Sequence, residues 1–191
     1  MPMLRILFAG VFLAALALAL PALAADDILE AIDQARKAYQ AGDMATAKQS
    51  LDMASQLVGQ KNAESFGALL PAALPGWKAE KVETAAVGVA MFGASSASRR
   101  YTGPNGNDVQ VRITGDSAMV MQFAQLFMNP TIAGAMGKLI RIGDQRAIQT
   151  SEGSVNMVVA NKFLVTVEGS ADAASKLAYA QAVDVAKLSK M

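Results

Sequence analysis

The sequence predicts an α+β fold, an N-terminal helical hairpin followed by an antiparallel sheet of about seven strands covered by two main helices. Three observations predict it. Between residues 26 and 60 apolar residues recur every three or four positions, as on one face of a helix. From residue 81 onward short runs alternate with a period of two between Gly, Pro, Asn and Asp clusters, as half-buried strands do. Two stretches of helical spacing interrupt those strands, one after Asp116-Ser117 and one from about Ala171 to Leu188.

Taken in order, the chain begins with Arg5, an apolar run from Ile6 to Leu20, then Pro21 and Ala22-Leu23-Ala24. A short positive region, an apolar segment too short to span comfortably and small residues before a cut site describe a secretory signal peptide over 1–24. Cleavage after Ala24 is expected, with a periplasmic location and no stable membrane insertion of the mature chain. Of 191 residues, 167 remain, enough for one domain and a small appendage. The chain has no cysteine, hence neither a disulfide nor a lipid-attachment thiol. Without Arg5 the mature chain carries 16 basic and 16 acidic residues. That balance argues against nucleic acid or an anionic membrane surface as partner, since both need a basic footprint.

Residues 25–61 read as an antiparallel helical hairpin. Ile28, Ile32, Ala35 and Tyr39 share one face of the first helix, and Met44, Ala47, Leu51, Ala54 and Val58 share one face of the second. Asp26 or Asp27 caps the first helix, and Gly42-Asp43 ends one and starts the other. Tyr39, Gly42, Asp43, Ala47, Leu51 and Ala54 resemble one unit of the tetratricopeptide repeat over about 30 residues. The first helix lacks that family's large aromatic, and no second copy follows. Such solenoids need about three units to bury a continuous face, so a lone hairpin must dock on its own domain or on a second chain.

Residues 62–80 form the linker and domain entrance, where Leu74-Pro75-Gly76-Trp77 stops a helix and turns the chain. Trp77, the only tryptophan, reads first as a plug at the entrance and second as a ligand platform. In the α+β domain, residues 81–191, strands are predicted around Val87, Val89 and Met91, over Ala97–Thr102 and over Val109–Thr114. The second and third are joined by the turn Gly103-Pro104-Asn105-Gly106-Asn107. Asp116 or Ser117 caps a helix carrying Met119, Val120, Phe123, Leu126 and Phe127, which Asn129-Pro130 stops, and Thr131–Gly137 adds a short turn of helix. Leu139–Ile142 and Arg146–Thr150 are strands around Gly143-Asp144. Val155–Val159 and Phe163–Glu168 form a hairpin whose loop must be three residues long, because only then do Val159 and Phe163 face each other and keep every apolar residue on one side. Ser170 caps the last helix, whose Ala174, Ala178, Ala182 and Val185 make a small-residue stripe for the sheet.

The chemistry open to this chain is bounded by an absence, since it has neither histidine nor cysteine. This removes an imidazole-activated nucleophile and the usual zinc, copper and haem ligand sets. Asp108, Asp116, Asp144 and Glu152 sit at turns or element ends, where carboxylates cap backbone more often than they react. Ser154, Ser170 and Ser175 near Lys162 and Lys176 have no spacing that makes a dyad. Gly103, Gly106 and Gly115 surround a hairpin instead of opening a helix as a phosphate loop does. Met119, Met121, Met128 and Met136 read as gap-filling, because Met119 and Met121 are two apart on a helix and face different ways.

The densest positive point is Arg99-Arg100-Tyr101, with Arg112 on the adjacent strand. With Trp77, these five are the candidate ligand- or partner-binding residues. The plainer reading of the arginines is a solvated strand face or a guarded edge. No catalytic residue, metal or cofactor is assigned.

Leu74-Pro75-Gly76-Trp77, Arg100-Tyr101, Asp116-Ser117, Asn129-Pro130, Asn161-Lys162 with Val165 to Gly169, and Tyr179-Ala180 resemble a set of small, uncharacterised exported proteins of Gram-negative bacteria. The resemblance covers most of residues 62–190 and implies no catalytic residues. The helix placement is also similar, in topology alone, to the Mog1/PsbP type of sandwich, a family of binding and assembly modules. The expected function is therefore a non-enzymatic periplasmic interaction or assembly module that binds another envelope protein or itself, with a sizeable exposed apolar patch on the hairpin. The alternative is a small-ligand carrier with a pocket between sheet and helix, lined by Met119, Phe123, Phe127 and Met157 and with an arginine at its mouth.

Overall fold

The computed structural model describes residues 26–86, 94–115 and 118–191. The first helix, α1 (Asp27–Gln40), begins where Asp26 is extended and its carboxylate accepts from the N–H groups of Ile28 and Leu29. Those donors have no partner inside the helix, so the cap satisfies them. Gly42 turns the chain at φ +79, a backbone conformation that residues with a side chain rarely adopt. Asp43 then caps α2 (Met44–Gly67) through the Thr46 N–H at 3.0 Å.

At about 1.5 Å per residue the 24 residues of α2 measure about 36 Å, against about 21 Å for the 14 of α1. The surplus length docks on the sheet. Ala63, Phe66 and Gly67 are buried there, and α2 packs on β2 (Glu83–Ala86) and β3 (Ser95–Thr102). Helix thus continues through residues 62–67, which the sequence alone assigns to the linker. Phe66 is the reason, since its burial against the sheet gains more than the following Pro71 and Pro75 can oppose from outside the helix.

Among the described residues the sheet has eight strands in the order β1-β3-β4-β8-β7-β6-β5, with β2 also paired to β3 and every pairing antiparallel. Besides β2 and β3 these are β1 (Lys78–Ala79), β4 (Asp108–Gly115), β5 (Lys138–Ile142), β6 (Gln145–Gln149), β7 (Val155–Val159) and β8 (Phe163–Glu168). The strand expected at Val87, Val89 and Met91 lies outside the described residues, as do the expected caps Asp116 and Ser117 and the predicted signal segment. Val159 pairs with Phe163, so the β7–β8 loop has the three residues that the alternation requires.

Alternation divides the sheet into two faces. On one, Val109, Val111, Ile113, Val155, Met157, Val159, Phe163, Val165 and Val167 are all buried. They are covered by Phe66 of α2, Tyr179 of α5 (Ala173–Gln181) and Leu188 of α6 (Val185–Leu188). The Phe66 and Phe163 rings meet edge to face, centroids 5.6 Å apart. A Cβ at Gly115 would lie 2.8 Å from atoms of both rings, so only glycine lets them close over β4. The other face is covered by α3 (Ala118–Met128) and α4 (Pro130–Met136), whose Phe127 and Ala133 bury Ile148. Asn129 caps α4 and Pro130 occupies its first turn, where a missing N–H costs nothing.

The C-terminal segment departs from the predicted single helix. It breaks into α5 and α6 because Asp184 accepts from the Lys187 N–H and starts a new turn. Asp172, and not Ser170, caps α5. Tyr179, Ala180 and Lys176 are the buried residues of α5, whereas Ala174 and Ala182 of the expected stripe are exposed. Among the described residues no helix is long and apolar enough to cross a membrane.

Candidate functional site

The hairpin is held by a seam of small residues. Ala31, Ala35 and Ala38 of α1 meet Ala47, Ser50 and Ala54 of α2, and all six are buried. Small side chains let the two helices approach closely, which leaves the large apolar residues outside the seam. This corrects the predicted packing faces. Ile32, Tyr39, Met44, Leu51 and Val58 are exposed, Tyr39 at 65% and Leu51 at 56%, and only Ile28 of this group is half-buried.

These six residues fall on one side of the hairpin. At about 100° per residue, Ile28, Ile32 and Tyr39 lie one step round α1 from the alanines, and Met44, Leu51 and Val58 one step round α2. Because the helices run antiparallel, both steps lead to the same side. The opposite side is mostly polar: Gln34 of α1 faces Thr46, Gln49, Ser50, Met53 and Gln56 of α2 across a groove. Asp52 also lines that groove and pairs with Lys48 at 2.7 Å, and Arg36 pairs with Asp33 at 3.0 Å; both ion pairs are exposed and worth little to stability. The side chain of Met53 is exposed in that groove, and Leu29 is exposed elsewhere on the hairpin. On α2 the seam residues and the sheet-facing residues Ala63 and Phe66 lie on opposite sides, so α1 stands beyond α2 from the sheet.

The five residues proposed from sequence do not form one patch. Strand alternation separates them. Arg99 and Tyr101 point to the core face: Arg99 Nη1 and the Tyr101 hydroxyl both donate to the Pro71 carbonyl, at 3.3 and 2.6 Å. Tyr101 is fully buried, its ring centroid 4.3 Å from that of Tyr179, and burial pushes its phenol up to about 12. Trp77 is half-buried and meets the Tyr179 ring edge on, centroids 5.2 Å apart. Arg100 and Arg112 lie on the other face. Arg100 Nη1 donates to Asp108 Oδ2 at 2.9 Å, and Arg112 is exposed between Ser98 and Thr166 of the neighbouring strands.

Among the acidic and hydroxyl groups singled out in the sequence, Asp108 and Ser170 hold each other and each other's backbone. Asp108 Oδ1 accepts from both the hydroxyl and the N–H of Ser170, and these bonds hold its carboxyl below the usual range. Asp43 and Asp172 are lowered by the N–H groups they cap, from Thr46 and Ser175. Lys176, buried at 4% exposure, donates to the carbonyls of Glu152 and Gly169 and ties two turns to α5. Among the described residues no three acidic side chains converge as metal ligands would. Met157 is in the core of the first face and cannot line a pocket beneath Phe123 and Phe127, which lie on the second. The side chains of Met119, Leu126 and Met128 lie outside those described.

One pair went unnoticed in the sequence: Arg141 of β5 and Arg146 of β6 are cross-strand partners. Their symmetric placement about Gly143-Asp144 was the available signal, because a two-residue turn sets them opposite each other. No protein-family model, curated protein or solved structure matches the chain.

Proposed function

We propose that the protein is a non-enzymatic interaction module of the periplasm, exported by its N-terminal segment, which docks through the open face of its helical hairpin on another envelope protein or on a second copy of itself. The observation that carries this reading is the one-sided row Ile32, Tyr39, Met44, Leu51 and Val58, exposed on a hairpin whose other side is mostly polar. Contiguous apolar surface of this kind costs solubility and marks contact sites. Tyrosine and methionine within it are residue types enriched at interfaces. A hairpin resembling one solenoid unit has a face that its neighbour would bury, and among the described residues no other element of the chain takes that place.

The non-enzymatic reading is supported by the chemistry available. With no imidazole or thiol in the chain, catalysis would rest on carboxylates, lysine or tyrosine. Among the described residues the carboxylates whose ionisation is displaced, Asp43, Asp108, Asp172 and Asp184, are lowered by capping or turn hydrogen bonds, away from the values an acid–base group needs near neutral pH.

Native mass spectrometry of the mature protein purified from its own host tests the proposal. A dimer or a defined complex is expected, and Ile32→Glu with Leu51→Glu should dissolve it without loss of fold. A bare monomer, or a complex indifferent to both substitutions, overturns the docking face.

A further inference from the structure

Strands β5 and β6 are joined by the two-residue turn Gly143-Asp144, with Ile142 paired to Gln145 and Arg141 to Arg146. Gly143 has φ +57 at the first central position, as a type II′ turn requires, and this fixes the register. The two arginines are therefore held directly opposite each other on one face of the sheet. Like charges in that relation oppose folding. Neither guanidinium has a hydrogen-bond or ion-pair partner among the described residues. Asp144 lines an adjoining cleft beside Arg146 but forms no ion pair with it.

The pair borders an apolar cleft. Phe127 of α3, Leu139 and Ile140 line it together with Arg141 and Arg146, and among the described residues no carboxylate does. Leu139 is 46% exposed there, an apolar side chain left without cover on an edge strand. The cleft measures about 270 Å³, the volume of about nine water molecules, below the usual range for drug-sized ligands. Arginine supplies planar donor forks that match the oxygens of a carboxylate or phosphate, and two such forks from opposed strands converge on one head group.

We propose that this cleft binds a small amphiphilic anion, its carboxylate or phosphate head between Arg141 and Arg146 and its short hydrocarbon body against Phe127 and Leu139. The ligand resolves the like-charge opposition that the fold leaves standing. It also covers the apolar surface that Leu139 exposes. The site is on the opposite side of the sheet from α2 and does not depend on the hairpin's docking role.

Isothermal titration of the mature protein with octanoate, octyl phosphate, octanol and inorganic phosphate tests it. Octanoate or octyl phosphate should bind once per chain, and the tighter of the two identifies the head group. Octanol, lacking charge, and inorganic phosphate, lacking a body, should bind at least tenfold more weakly. The double variant Arg141→Gln with Arg146→Gln should lose at least tenfold in affinity for the octyl anion while melting no lower than wild type, since it removes a repulsion. Leu51→Glu should bind as wild type does. Equal binding of octanol, undiminished binding by the double variant, or no binding of any octyl probe overturns the proposal. So does sedimentation with phosphatidylglycerol vesicles when neither octyl anion binds, which would make the pair a membrane-surface contact.

Discussion

The Tyr101 hydroxyl donates to the Pro71 carbonyl across 2.6 Å, joining β3, the strand next to one edge of the sheet, to the chain as it leaves α2. Arg99 reaches the same oxygen at 3.3 Å, and the Tyr179 hydroxyl accepts from the Leu74 N–H at 3.2 Å. The stretch from Pro71 to Leu74 is thus tied to two tyrosines that stack on each other. Tyr101→Phe removes the shorter of the two bonds to Pro71 while keeping the ring. A loss of about 1–2 kcal/mol is expected from urea unfolding, with an unchanged m-value.

Alkaline pH should act on the same place. An acid whose folded value is raised loses stability as pH climbs from its unfolded value through its folded one. For Tyr101 that window runs from about 10 to about 12, and burial raises Tyr179 in the same direction. The contribution of Tyr101 is on the order of 2–3 kcal/mol once the window is crossed. Absorbance at 295 nm followed with circular dichroism checks it: late tyrosinate formation should coincide with loss of structure. All three phenols titrating together near 10, with the fold intact, would contradict it.

Asp108 works in the opposite direction. Its carboxyl is held low by Ser170, then by Arg100, so its contribution is present above about pH 4 and is lost as pH falls through the folded value. Asp108→Ala should cost about 1–2 kcal/mol at neutral pH, because the N–H and hydroxyl of Ser170 lose their acceptor. Its thermal midpoint should also vary less between pH 5 and pH 3 than that of wild type.

Ala160 has φ +52 and Asn161 φ +55, followed by a bond from the Lys162 N–H to the Val159 carbonyl at 3.0 Å. Asparagine tolerates this left-handed conformation, whereas alanine is strained by its Cβ. Ala160→Gly should therefore stabilise the protein by about 0.5–1 kcal/mol, read as a raised melting temperature. An unchanged or lowered value would show that the loop does not adopt these dihedrals in solution.

The seam of the hairpin admits only small side chains. Ala35→Leu should cost about 1–3 kcal/mol by overpacking, although leucine is the more apolar residue. Leu51→Glu should change stability by no more than about 0.5 kcal/mol, since Leu51 is 56% exposed. The opposite ranking in thermal melts would mean that the sequence's periodicity, and not the alanine seam, marks the packed face.

Much of the architecture was legible in residue pattern, because each predicted strand buried on one side announces itself by alternation. The Val159–Phe163 register follows from that alone. The faces of the hairpin were not legible, because helical spacing groups Ile32, Ala35 and Tyr39 without saying which of them meets a partner. Close approach selected the alanines, and tertiary packing decided it. The candidate site was less legible still. Arg99, Arg100 and Tyr101 are adjacent in sequence, yet a strand sends neighbours to opposite faces, which divides them between core and surface. Arg141 and Arg146 are adjacent only through a turn. Lys176 was invisible as a core residue because its burial depends on two carbonyls from distant turns.

The unequal length of α1 and α2 has a consequence in time as well as in space. One continuous helix lies in two environments, its first half leaning on α1 and its second half anchored by Phe66 under the sheet. Opening of the hairpin exposes a thin alanine seam, whereas opening around Phe66 exposes the core, so the two events have different free energies. Amide protons along α2 should therefore report two clocks, fast from Met44 to about Val58 and slow near Ala63–Gly67. A ligand that covers the outer row would slow the first clock and leave the second untouched.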